Sequence, residues 1–218
     1  MQDHRLRFIE LALARNALRF GSFKLKSGRE SPYFFNAGLF SDGAAAAALG
    51  ECYAAALLHS GIEFDMLFGP AYKGIPLVTA TAIALARLNR NVPYAFNRKE
   101  AKDHGEGGNI VGNALTGRVV IIDDVITAGT AIRESIDTIR HAGAQPVAVA
   151  LALDRQERGQ GTLSATQELE KQFGVTCVSV VTLADLIESL SGASGSPALV
   201  SAEQLTSLRA YRERYGVN

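Results

Sequence analysis

The segment Val119-Val-Ile-Ile-Asp-Asp-Val-Ile-Thr-Ala-Gly-Thr-Ala131 restricts the fold of this chain more than any other. Val119 to Ile122 are consecutive β-branched residues, the pattern of a strand buried on both faces of a parallel sheet. Two carboxylates, Asp123 and Asp124, end the run. A turn of small residues, Thr127-Ala128-Gly129-Thr130, follows, and a helical stretch from Ala131 to His141 begins directly after it. This order builds an anion site beside a diol site. Backbone N–H groups of the turn and the helix N-terminus can hold a phosphate. Thr127 and Thr130 add hydroxyl donors, and Gly129 allows close backbone approach. Asp123 and Asp124 can accept hydrogen bonds from sugar hydroxyls or act near a cation. An acidic pair alone also suits a solvated turn; set in register before Thr-Ala-Gly-Thr and a helix, it favours a binding site. No G-x-G-x-x-G follows the strand and no Gly-Lys-Ser/Thr is present, which excludes the dinucleotide fingerprint and the Walker A loop.

The rest of the chain fits one α/β domain over residues 1–218. Its length supports one good core with at most a small subdomain. Twenty-two basic and twenty-two acidic residues balance, so no global field favours nucleic acid or an anionic membrane. No run approaches the ~18 apolar residues of a membrane span. Charges scattered through Met1 to Glu10 argue against a signal peptide. Cys52 and Cys177 sit in apolar-patterned segments and read as buried thiols rather than a disulfide or metal site. A cytoplasmic location is expected.

Periodicity and punctuation predict helices at about 3–16, 43–60 (closed by Gly61 as a C-cap), 74–89, 131–141 and 162–172, with further helices to the end. Strands are expected at 66–68, 93–96, 119–122, 146–153 and 177–181. Alternating strands and helices imply a parallel sheet covered on both faces, with ligands beyond the carboxyl ends of the strands. The pieces before about residue 40 break the alternation and are expected to form a separate hood. Residues 98–112 read as a long polar loop, and Ser191 to Ser196 as a flexible turn before a last amphipathic helix.

Other clusters fall at the same sheet edge. The loop Gly69-Pro-Ala-Tyr-Lys-Gly74 can hold a diphosphate through backbone N–H groups and Lys73; a tight turn with a solvated lysine is the alternative. Arg98, Lys99, Lys102 and His104 lie within a stretch that ends in three glycines out of four residues. Long loops in compact domains are usually functional, and these glycines suit a moving lid. Its cations suit a polyphosphate, and His104 can donate to a leaving diphosphate. Lys24, Lys26 and Arg29 flank a Ser-Gly turn, followed by Phe34 and Phe35, which alternation sends to opposite faces. Arg155, after a very apolar strand, is a candidate carboxylate clamp or part of a solvated charge cluster.

Together, Leu25 to Arg29, Ser31 to Asn36, Phe68 to Ile75, Phe96 to Gly108, the Asp123 segment and Leu153 to Glu157 resemble the bacterial single-function orotate phosphoribosyltransferases, within the type I phosphoribosyltransferase family. The resemblance covers nearly the whole chain and is weakest at 191–218. It implies a parallel sheet flanked by helices, an N-terminal hood over about 1–40 and a mobile lid over about 98–112. It also implies transfer of a phosphoribosyl group from phosphoribosyl pyrophosphate (PRPP) to orotate, with Mg²⁺ held mainly through PRPP and water, and a homodimer sharing lid residues across its interface. Carried over by position, Asp123, Asp124, Lys102 and His104 would be catalytic. PRPP would be bound by Lys26, Tyr72, Lys73, Arg98, Lys99, Lys102, His104 and the run Asp123, Asp124, Val125, Ile126, Thr127, Ala128, Gly129, Thr130 and Ala131. Lys26, Phe34, Phe35, Thr127 and Arg155 would bind orotate.

Two rivals remain from sequence. A phosphoribosyltransferase for another base would share the Asp123 segment, but Phe34, Phe35, Arg155 and the lysine-rich lid favour an acidic pyrimidine. A nucleotide- or PRPP-sensing regulator that binds nucleic acid would want a basic face, and the chain is neutral.

Overall fold

The computed structural model describes residues 4–25, 27–102, 108–126, 129–159, 161–192 and 199–217, with side chains described except at 100–102 and 108. Helix α1 (His4–Ala14) precedes a hairpin of β1 (Leu18–Lys24) and β2 (Glu30–Phe35), which forms its own antiparallel two-stranded sheet. The alternating body follows: α2 (Gly43–Ser60), β3 (Met66–Gly69), α3 (Gly74–Arg87), β4 (Tyr94–Lys102), β5 (Gly108–Gly112), β6 (Arg118–Asp123), α4 (Thr130–His141) and β7 (Gln145–Asp154). It closes with α5 (Ala165–Phe173), β8 (Thr176–Thr182), α6 (Leu183–Leu190) and α7 (Ala202–Tyr215).

Local chemistry sets these boundaries. Asp42 caps α2 by accepting from the Ala45 N–H at 2.8 Å, and Gly61 ends it in a left-handed conformation. Capping boxes start α5 (Ser164 with Gln167), α6 (Thr182 with Asp185) and α7 (Ser201 with Gln204), each satisfying two N–H groups that a helix start would leave unpaired.

The main sheet has the order β5-β4-β3-β6-β7-β8, and all neighbours pair in parallel except β5 with β4. Val119, Val120, Ile121 and Ile122 are fully buried, each contributing roughly 1.5–3 kcal/mol of apolar burial. Alternation divides them. Val120 and Ile122 join a core with α2 and α3, while Val119 and Ile121 join the opposite core with α4 and Leu169 of α5. From β3 the chain moves outward to β4, and from β6 it moves the other way to β7 and β8. The switch in winding direction therefore lies between β3 and β6, where open α/β sheets form a crevice.

The structure differs from expectation at one element. The stretch read as a polar loop is β-ribbon at both ends: β4 runs on to Lys102, and β5 returns with Val111 opposite Phe96 and Ile110 opposite Asn97. Only two apolar residues mark β5, and an edge strand needs no more. The N-terminal hairpin, at the place where a hood is expected, pairs only within itself and apart from the main sheet. Cys52 is buried and Cys177 partly so, both as free thiols.

Candidate active site

Three loops meet at the carboxyl edge of the sheet. The first, after β3, is drawn tight by its glycines. A Cβ on Gly69 would lie 2.3 Å from the Gly74 carbonyl oxygen, and one on Gly74 would lie 2.5 Å from Pro70 Cδ and 2.8 Å from the Ile122 carbonyl oxygen. Only residues without a Cβ permit this closeness to β6. The Ala71–Tyr72 peptide is cis. The Ala71 N–H donates to Asn97 Oδ1 at 2.7 Å, and Lys99 Nζ stands 4.9 Å from the centre of the exposed Tyr72 ring. The base of the ribbon is thereby joined to this loop.

The second loop carries the acidic pair. Lys73 Nζ donates to Asp124 Oδ2 at 2.5 Å, and Asp124 is only 5% exposed. Asp123 Oδ1 accepts from the Asp124 N–H at 2.9 Å, while the buried Tyr53 hydroxyl donates to the Asp123 carbonyl at 2.7 Å. Burial raises the Tyr53 phenol well above its ordinary value. The Asp123 carboxyl is pushed up to about 7, first by burial and then by the charge of Asp124, against the Asp124 N–H and the Lys73 ammonium. Val125 and Ile126 continue as a half-buried wall. Gly129, at φ 70°, is the N-cap of α4; it makes no side-chain cap, and no acidic residue occupies the first turn. The Thr130 N–H and those after it thus begin a helix whose positive end is not neutralised by its own side chains, a surrounding that favours an anion. Thr130 is exposed and Ala131 half-buried. Thr127 and Ala128, like Lys26 and His104, lie outside the described residues.

The displaced pKa of Asp123 has a consequence for folding. An unfolded aspartate titrates near pH ~3.9. Between about pH 4 and 7 the native state therefore holds a proton that the unfolded chain has released, and stability falls as pH rises through that window. Asp123→Asn should exceed the parent in stability at pH 8 by about 1–3 kcal/mol and converge with it near pH 4. Thermal melts at the two pH values check this; equal differences at both would show that the carboxyl titrates normally.

The third loop follows β7 and carries Arg155. With the hood and the second loop it encloses a cavity of about 660 Å³ lined by Phe34, Phe35, Lys73, Val125, Ile126 and Arg155, among others. The structure thus brings the phenylalanines, the arginine and the loop lysine around one space. Phe35 is buried, 5.9 Å from the Phe8 ring, whereas half-buried Phe34 stacks on Phe23 at 5.6 Å. One phenylalanine serves the core and one the hood surface, as alternation required, yet both border the cavity. Arg155 is not a solvated charge: its Nε donates to Glu157 Oε1 at 2.7 Å and its Nη2 to Ser31 Oγ at 3.0 Å. A larger cavity of about 860 Å³ lies between the hairpin and α7, away from the acidic pair. Neither Lys73, Arg155 nor the acidic pair lines it, so it is not the better candidate. Arg98 is half-buried, and the backbone of Lys102 ends β4.

Sequence reasoning missed Tyr53, Asn97 and Glu157. Tyr53 lies in an alanine-rich helix and Asn97 inside a strand, and neither position carries a signal in one sequence. Glu157 lies two residues from Arg155, and the bend between them is visible only in three dimensions.

This arrangement agrees with what the chain is similar to. Residues 41–160 match the family model described as a phosphoribosyl transferase domain. The orotate phosphoribosyltransferase of Marinobacter nauticus is 59% identical over 217 residues, and that of Klebsiella pneumoniae strain 342 is 58% identical over 218, with both chains covered completely in each case. The crystal structure of the Francisella tularensis orotate phosphoribosyltransferase superposes with a TM-score of 0.85 at 42% identity, covering 96% of this chain and 98% of that one. A buried acidic pair and a neighbouring arginine-bearing cavity, set on this sheet, agree with such similarity: the chain belongs to the phosphoribosyltransferase family and, within it, to the orotate phosphoribosyltransferases.

Proposed function

We propose that the protein transfers the 5-phosphoribosyl group of PRPP to orotate, giving orotidine 5′-monophosphate and diphosphate in pyrimidine biosynthesis. The observation that carries this reading is Lys73, which lines the cavity that also holds Arg155 and is paired there with the buried Asp124 behind it. A side that would bind sugar hydroxyls and a side that would bind a carboxylate thus meet through Lys73.

In the reaction the bond from ribose C1 to the diphosphate oxygen breaks, and a ring nitrogen of orotate bonds to C1. Positive charge develops on the ribose and negative charge on the leaving diphosphate. Asp123 and Asp124 would accept from the ribose hydroxyls and favour the ring charge. The turn from Thr127 to Ala131 would hold the 5′-phosphate. Tyr72, Lys73 and the loop amides would hold the diphosphate, Lys26 would reach PRPP and the orotate pocket, and Arg98, Lys99, Lys102 and His104 would close over the diphosphate and keep water out. Phe34 and Phe35 would flank the pyrimidine, and Arg155 would pair with its carboxylate.

A divalent cation fits this donor set in one way. Among the described residues no cluster of three or more His, Cys, Asp or Glu side chains gathers to enclose a metal, and Asp124 is already paired with Lys73. Mg²⁺ typically keeps waters and takes one or two carboxylates plus substrate phosphates. Asp123 and Asp124 would lie beside such an ion, which supplies neutralisation of diphosphate charge. We further propose a cytoplasmic homodimer in which lid residues are shared between subunits. Among the described residues no helix is long and apolar enough to cross a membrane.

The deciding experiment follows orotate absorbance with purified protein, PRPP and Mg²⁺, with adenine, hypoxanthine and uracil in parallel. Loss of orotate alone, dependent on PRPP and Mg²⁺, is expected. Turnover of another base would overturn the roles given to Phe34, Phe35 and Arg155. PRPP binding without turnover of any base would favour a regulator.

A further inference from the structure

We propose that Glu157 is the positioning residue for Arg155, and that the C-terminal segment after α7 holds Glu157 in place. This rests on the reading of Arg155 as the partner of the substrate carboxylate. An arginine recognises a carboxylate well only when its planar fork is held in one orientation. On an exposed loop, fixing that long side chain at the moment of binding costs affinity. Here the orientation is set beforehand. Glu157 Oε1 accepts from Arg155 Nε at 2.7 Å and lies 2.6 Å from Nη2. Ser31 of the hood accepts from Nη2, and the guanidinium carbon stands 4.2 Å from the centre of the buried Tyr33 ring. Glu157 thus engages the Nε–Nη2 edge, which leaves Nη1 as the nitrogen that would meet a ligand carboxylate.

Glu157 is itself braced. The chain turns at Gln156, whose φ of 50° is unusual for a residue with a side chain. The turn is paired on both sides with the chain's end: the Val217 N–H donates to the Gln156 carbonyl, and the Arg158 N–H donates to the Tyr215 carbonyl, each at 2.9 Å. Glu157 and Gly216 form an antiparallel bridge between these two bonds. Arg29 completes the brace, with Nη1 3.6 Å from Glu157 Oε2 and its guanidinium 5.0 Å from the Tyr215 ring centre. The C-terminal residues, remote in sequence from every substrate-binding motif, therefore reach the base-recognition arginine through Glu157, with Tyr211 of α7 beside both side chains.

Steady-state kinetics on the full chain test this. With Glu157→Ala the orotate KM should rise about tenfold, as expected for loss of one charge-assisted hydrogen bond, while the PRPP KM stays within about twofold. Glu157→Gln keeps the accepting oxygen and should hold the orotate KM within about threefold of the parent. Arg155→Ala and the double variant Arg155→Ala/Glu157→Ala should share one orotate KM, because Glu157 acts through Arg155. An orotate KM unchanged in Glu157→Ala, or a double variant whose KM multiplies the two single effects, would overturn positioning while leaving the role of Arg155 intact. So would a Glu157→Gln variant as poor as Glu157→Ala. An Arg155→Ala variant with normal orotate KM would overturn both readings. Should Glu157→Ala fail to fold, Glu157→Asp, which withdraws the carboxylate by one methylene, is expected to raise the orotate KM alone, and an unchanged value would reject the proposal.

Discussion

Lys102→Ala should lower kcat by about 10²–10³ while leaving KM for PRPP nearly unchanged. The reason is the timing of charge. On the proposed reading, diphosphate in bound PRPP would already be met by the loop after β3 and by cations at the base of the ribbon, so one more lysine would add little to ground-state binding. As the C1–oxygen bond breaks, the leaving oxygens gain charge, and a cation placed for that moment lowers the barrier selectively. Removing one such group costs roughly 3–4 kcal/mol. β4 reaches Lys102 and delivers it from a hydrogen-bonded strand. Single-turnover and steady-state rates check the split. Near-normal kcat would remove Lys102 from the transition state, and a rise in KM with unchanged kcat would make it a binding residue only.

Asp124→Asn should cut kcat/KM for PRPP by about 10²-fold, the effect of removing a charged hydrogen-bond acceptor that strengthens as the ribose becomes positive. The protein should remain folded. Asn is nearly isosteric, and the Asp124 carbonyl still accepts the Ala152 N–H at 2.9 Å. Lys73, released from its partner, is 54% exposed at the side chain and can turn to water, so the stability loss should stay near ~1 kcal/mol. Circular dichroism and a thermal melt establish the fold, and initial rates at varied PRPP give the loss. Wild-type turnover would exclude Asp124 from ribose binding. A collapsed melt would make its bond to Lys73 structural.

What sequence could reveal here follows from range. β6 was legible because a strand buried on both faces must be apolar throughout, and the acidic pair because it interrupts that run abruptly. β5 was not, since an edge strand with one covered face needs only Ile110 and Val111. The phosphate turn and the loop after β3 are written in consecutive residues, so their chemistry survives in one dimension. The Tyr53 hydroxyl on the Asp123 carbonyl and the Asn97 amide on Ala71 join residues 70 and 26 positions apart. No local pattern encodes such pairs. Arg155 was legible as a charge at a strand end, but its burial against Tyr33 and Glu157 depends on the bend at Gln156 and on the far end of the chain.

The two sides of the cleft come from different parts of the polypeptide. On the proposed reading, the loops after β3 and β6 would provide the phosphate and ribose side. The hairpin, the loop after β7 and the chain's end would provide the base side, and the two meet at Lys73, Val125 and Ile126. Such a division makes base preference a transplantable trait. Exchanging the hairpin together with the β7 loop and the C-terminal residues that clasp it should carry selectivity from one chain to another, whereas exchanging the loop alone would leave its arginine without the brace that aims it.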